Sequence, residues 1–142
     1  MIIENTAGQN GSIGSIGEII SLVKEVNDPR VKICLDSAHL FEAGHDLRDS
    51  RVVDDLVREL ESNHVLKDLA CLHLNDSKTA LDSHKDRHEN IGLGEIGKTG
   101  LSNFINHPKL KHLSMILEVP GKNRGGPDKA NILATRKLIR KD

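Results

Sequence analysis

Four continuous apolar runs stand out along the chain: "MII" before Glu4, "VKICL" before Asp36, "LACLHL" around His73 and "LSMILEV" around Glu118. Continuous rather than alternating hydrophobicity suits parallel strands covered on both faces. Helical periodicity fills the intervals. "SIGEIISLVKEV" puts Ile16, Ile19, Ile20 and Val23 on one face, and "DSRVVDDLVRELES" does the same with Val52, Val53, Leu56, Val57 and Leu60 behind an N-cap at Asp49 or Ser50. "LSNFINHP" predicts a shorter helix stopped by Pro108. "PDKANILATRKLIRK" predicts a last helix carrying Ile132, Leu133, Leu138 and Ile139. The resulting order, β-α-β-α-β-loop-α-β-α, is that of an α/β fold with parallel strands and right-handed crossovers.

No repeat and no low-complexity linker interrupts this order, so residues 1–142 are expected to form a single domain. Met1 already lies within the first strand, without a lead-in. Four bare parallel strands would leave apolar edges and an unfilled inner face. The expected architecture is therefore a partial TIM (β/α)8 barrel, the last four βα units of eight; a self-contained four-stranded domain is the alternative.

Composition narrows the class. Apolar residues make up 37% of the chain and charged residues 29%, with a net charge of −1, as in globular proteins. No apolar run has membrane-spanning length, and "MIIENTAGQN" has the features of neither a signal nor a transit peptide. An intracellular location is expected, cytoplasm or nucleus, without membrane contact or secretion. Cys34 and Cys71 sit inside apolar runs and read as buried reduced thiols, without the C-x-x-C spacing of a zinc or redox pair. Phe41 and Phe104 are the only aromatic residues, so the core must be aliphatic and no base-stacking platform is at hand. Near-neutral charge gives no global basic field, so charge alone does not announce a nucleic acid.

The chemistry-bearing residues follow the strands. Glu4, Asp36, His73 and Glu118 each fall at or near a strand's C-terminal end, the rim on which parallel α/β folds build their sites. Buried carboxylates this close repel and prefer protonation unless a cation compensates. Mixed oxygen and nitrogen donors suit Zn2+ or Mn2+. His39 follows Asp36 by one helical turn, and "DRH" places Asp86 and His88 two apart, on one side of an extended segment. His39, Asp86 and His88 together form a two-histidine, one-carboxylate set; an N-capping Asp36 and a solvated "DRH" loop are the plainer readings. Lys78, Lys85 and Arg87 are candidate phosphate contacts or solvated charges. "GLGEIG" lacks the context and lysine of a phosphate loop and reads as a structural turn. His45, His64, His84, His107 and His112 read as bystanders, and Ser77 and Ser83 have no base at fixed spacing.

The blocks "ENTAGQ", "CLDSAHLFEAGHDLR", "HLNDSKTALDSHKDRHENIGLGEIG" and "LEVPGKNRGGPDKANI" together resemble, in order and over nearly the whole chain, the endonuclease IV family of TIM-barrel apurinic/apyrimidinic endonucleases. Asn10 stands where the family usually has glycine, and Val119 where threonine is common. The resemblance implies hydrolysis of double-stranded DNA on the 5′ side of abasic sites, for base excision repair, with up to three zinc ions. Glu4 matches the carboxylate that bridges two ions and positions the attacking hydroxide. Asp36, His73 and Glu118 match the remaining ligands of the second ion, with Glu118 also counted as catalytic. His39, Asp86 and His88 match the protein ligands of the third. Lys78 and Arg87 are the candidate DNA-phosphate contacts. The family's first ion also takes two histidines from earlier strands, so two ions are largely ligated here and partnership with an N-terminal half, or self-association, is expected. The rival functions are a non-catalytic metal-binding half-barrel and a metal-dependent sugar isomerase or epimerase.

Overall fold

The computed structural model describes residues 1–140. In chain order the elements are β1 (Ile2–Glu4), α1 (Ile16–Val26), β2 (Lys32–Asp36), α2 (Ser37–Glu42), α3 (Ser50–Ser62), β3 (Leu69–His73), β4 (Asp76–Ser77), β5 (His88–Glu89), α4 (Gly97–Ile105), β6 (Ser114–Ile116) and α5 (Lys129–Leu138). Strands β1, β2, β3 and β6 pair in that order, every pairing parallel, and β4 and β5 form a small antiparallel hairpin at the rim. The expected alternation of strand and helix is therefore present.

Local chemistry sets the element ends. Ser15 and Glu18 close a reciprocal capping box on α1, which ends where Asn27 takes a left-handed conformation (φ 44°). Asp49 caps α3, accepting from Arg51 N–H. Helix α1 buries Ile16, Ile19, Ile20 and Val23, and α3 buries Val53, Leu56, Val57 and Leu60. They cover one sheet face, where Ile33, Leu35 and Leu72 are fully buried with Phe41 and Phe104. Each fully buried aliphatic side chain contributes roughly 2 kcal/mol of transfer free energy.

Two expectations need correction. Helix α4 begins at Gly97, earlier than the "LSNFINHP" segment suggested, and is over before Pro108. Helix α5 buries few of the apolar residues expected: Ile132 and Leu133 are exposed, as is Ile139 just past its end, and Leu138 packs partly buried against the core, while Asn131 and Thr135 are buried. Asn131 docks the helix by hydrogen bonds, accepting from Ile91 N–H (3.0 Å) and donating to Asn90 Oδ1 (2.9 Å). Satisfied polar groups fix this helix together with the partly buried Ala134 and Leu138.

The second sheet face is the one that matters for the site. In register across the strands, Glu4 lies beside Cys34, Cys34 beside Cys71 and Cys71 beside Ser114. The next row is Asp36, His73 and Ile116. Side chains two apart on a strand share a face, so both rows look away from the helices. Ile2 and Ile116 on this face are about half exposed (55% and 46%).

Candidate metal centre

Parallel pairing delivers Glu4, Asp36 and His73 as the last residues of β1, β2 and β3, while Glu118 lies two residues beyond β6. One ligand atom from each of the four lies within 4.8 Å of the others. His73 Nδ1 is the hub, at 3.2 Å from Glu4 Oε1, 3.2 Å from Glu118 Oε2 and 3.9 Å from Asp36 Oδ2. That nitrogen is buried and has no hydrogen-bond partner among the described residues. An orphaned imidazole nitrogen facing three carboxylates is costly in an empty protein interior and well suited to a cation.

Asp36 is completely buried. One oxygen caps α2 by accepting from His39 N–H (3.0 Å), and the other accepts from Asn75 Nδ2 (2.6 Å). Asn5 Oδ1 accepts from Asp36 N–H (2.7 Å), and Asn75 Oδ1 accepts from Glu118 N–H (2.7 Å). These two buried asparagines tie the rim together. Neither stood out in the sequence, although Asn5 directly follows β1 in "ENT" and Asn75 lies two residues past β3 in "HLND", where a polar residue needs an internal partner.

A second cluster abuts the first. Asp36, His39 and His88 also offer ligand atoms within 4.8 Å of one another. His39 Nδ1 lies 2.9 Å from Asn5 O and 3.3 Å from Glu4 Oε1; His39 Nε2 lies 3.4 Å from both Asp86 Oδ1 and His88 Nε2. His88 Nε2 is 3.7 Å from Asp86 Oδ1. The β4–β5 hairpin brings in Asp86 and His88, and Glu42 of α2 anchors it. Glu42 Oε1 accepts from Ser77 Oγ (2.7 Å), Thr79 Oγ1 (3.2 Å) and Arg87 N–H (3.3 Å). The anchoring role of Glu42 had no sequence signal, because its partners are far away in the chain.

Charge follows from this crowding. Burial opposes a charged His39, but its hydrogen bond to Glu4 and the fields of Asp36 and Asp86 outweigh it and push its pKa up to about 10. Burial also works against a charged Glu4; there His39 and His73 prevail and hold the carboxyl below its usual range. Burial raises Asp36 despite the facing rings. Without a cation the cluster thus takes up protons to balance its carboxylates. The donor set, oxygen and imidazole nitrogen without thiolate, fits a divalent cation such as Zn2+ or Mn2+.

The remaining candidates lie outside both clusters. Lys78, Lys85 and Arg87 are exposed on the hairpin; Lys78 N–H donates to Arg87 O (2.8 Å), and Arg87 Nη1 donates to Asp86 O (2.7 Å). Among the described residues His45, His64, His84, His107 and His112 join no such cluster. The "GLGEIG" turn wraps a carboxylate of the chain itself: Asp76 accepts from the N–H groups of Gly94, Ile96 and Gly97 at 3.0–3.2 Å. A Cβ on Gly94 would stand 2.2 Å from Ser77 O, which accounts for that glycine.

The chain matches the xylose isomerase-like TIM barrel family over residues 1–142. It belongs to that family. Within it, the endonuclease IV resemblance holds. A Halothermothrix orenii protein named "Probable endonuclease 4" is 45% identical over 122 residues, 84% of this chain and 44% of that protein. Its namesake in Methanosphaerula palustris is 40% identical over 140 residues, 97% of this chain and 49% of that protein. The crystal structure of endonuclease IV from Thermus thermophilus superposes with a TM-score of 0.79 at 33% identity, covering 96% of this chain and 48% of that one. The four-stranded parallel sheet is thus part of a TIM barrel, and the chain spans about half the length of the curated relatives it matches.

Proposed function

We propose that this chain carries two of the cation sites of an endonuclease IV-type enzyme that hydrolyses DNA phosphodiester bonds on the 5′ side of abasic sites. Glu4, Asp36, His73 and Glu118 hold one cation; His39, Asp86 and His88 hold its neighbour; zinc is the first choice and manganese the second. The observation that carries this reading is the meeting of seven oxygen- and nitrogen-bearing side chains from strand ends, the first turn of α2 and one hairpin. The relatives' names supply the reaction class.

When bound, such cations lower the pKa of water toward neutrality and offset the charge gathering on phosphate oxygens. The chain's residues do the rest. Glu4 touches both clusters, through His39 and His73, and so fixes their separation and orients the attacking water. Glu118, about half exposed, closes the cluster toward the substrate. Asn5 and Asn75 hold Asp36 in one orientation. Lys78 and Arg87, exposed beside His88, meet the flanking backbone phosphates.

The substrate is abasic double-stranded DNA, and a chain supplying the other half of the relatives' length, or a second copy, completes the site. The test is nicking of an abasic duplex with Zn2+ by this chain, alone and mixed with such a complementary half. Nicking that needs His88 supports the reading. Turnover of sugars that survives His88→Ala would instead favour an isomerase. Failure to nick in every combination, with cation bound, would leave a metal-binding half-barrel.

A further inference from the structure

One layer below the rim, the inner sheet face changes character from oxygen to sulfur. Cys34 of β2 pairs in register with Cys71 of β3, just as Asp36 pairs with His73 above them. Cys34 shares its face with Asp36, and Cys71 with His73, because each pair is two residues apart on one strand. The two thiols are free and buried. The ligand atoms of Cys34, Cys71 and His73 all lie within 4.8 Å of one another. Separated along the chain, these cysteines showed no ligand spacing; parallel pairing makes them neighbours.

We propose that Cys34, Cys71 and His73 form a separate, sulfur-rich site that takes a thiophilic cation of the Cd2+ or Cu+ class. Two sulfurs and one imidazole nitrogen match the preference of soft cations for thiolate, unlike the oxygen-rich rim. Binding forms two metal–sulfur bonds and sends two thiol protons to solvent, with no change of oxidation state. Ser114 and Ile116 lie in register beside Cys71 and His73 on the same face. His73 is common to this group and the rim group, so a soft cation below and a hard cation above would draw on the same ring. The site stands whether or not the chain is a nuclease.

The reduced 142-residue chain is titrated with Cd2+ while the ultraviolet thiolate-to-cadmium charge-transfer band is followed. The band should saturate at one cation per chain, weaken by more than about tenfold in affinity in Cys34→Ala and in Cys71→Ala, and persist in Asp86→Asn. Absence of the band from the folded chain, or its persistence in Cys71→Ala, would overturn the site. Circular dichroism checks each variant. Should either cysteine variant unfold, cadmium-113 NMR of the unsubstituted chain decides: a strongly deshielded, sulfur-bound resonance supports the site, and a resonance typical of oxygen ligands alone refutes it. One equivalent of Cd2+ should also weaken Mn2+ binding, read by electron paramagnetic resonance, in the unsubstituted chain and not in Cys71→Ala; equal Mn2+ binding with and without cadmium would refute the shared use of His73.

Discussion

Asp36 closes the parallel strand β2, and Asp76 opens the hairpin strand β4. Each lies at a strand end, each is completely buried, and burial raises the pKa of each carboxyl. Their surroundings differ in kind. Asp76 accepts from four backbone N–H groups, those of Ser77, Gly94, Ile96 and Gly97. Asp36 has one backbone N–H and one side-chain amide, then faces His73 and His88 at 3.9 and 3.8 Å. The chain completes the first carboxylate by itself and leaves the second turned toward other ligands. One buried acid is structural and its neighbour is a candidate ligand, and only the identity of the donors separates them.

Substitutions can break this contrast. The largest effect is expected for Asp36→Ala, which should weaken Zn2+ binding by more than about 100-fold in calorimetric titration, while loss of its cap costs the fold only about 1 kcal/mol. Asp76→Ala should do the reverse. Orphaning its backbone donors should cost roughly 3 kcal/mol in denaturant unfolding, with Zn2+ affinity in the folded fraction unchanged. Equal effects of the two on affinity would erase the distinction. Asn75→Ala, which frees Asp36 to turn, should cost about 10- to 100-fold in Zn2+ affinity.

The smallest effect sharpens the contrast by pH. His39 in the cation-free chain titrates at about 10 rather than 6.5. Zn2+ uptake at neutral pH should therefore release about one proton from this ring, measurable by calorimetry in buffers of different ionisation enthalpy, and affinity should fall as pH falls. The sign for stability is opposite. A raised histidine pKa stabilises the cation-free fold fully below about 6.5 and is lost as pH rises through about 10. Unfolding midpoints of the cation-free chain across that range should decline, and His39→Gln should flatten the decline.

Much of this was legible in the sequence because strand ends are marked by where apolar runs stop. Glu4, Asp36 and His73 follow from that rule alone, and α1 and α3 follow from period and caps. Asp86 and His88 came into place only through a hairpin whose anchor, Glu42, lies far from them in the chain. The Cys34–Cys71 pairing was invisible for the same reason: register is a property of two strands, and each cysteine alone is an ordinary buried thiol. Helix α5 exposes Ile132 and Leu133 because its docking rests largely on Asn131 beside the partly buried Ala134 and Leu138, and polar anchoring leaves no periodic trace.

The two oxygens of Asp36 serve different masters. Oδ1 starts the helix that carries His39, and Oδ2 looks into the cluster around His73. One buried side chain thus joins the first turn of α2, which carries His39, to the rim around His73. The two groups of candidate ligands therefore share one buried residue, and a substitution there should disturb both.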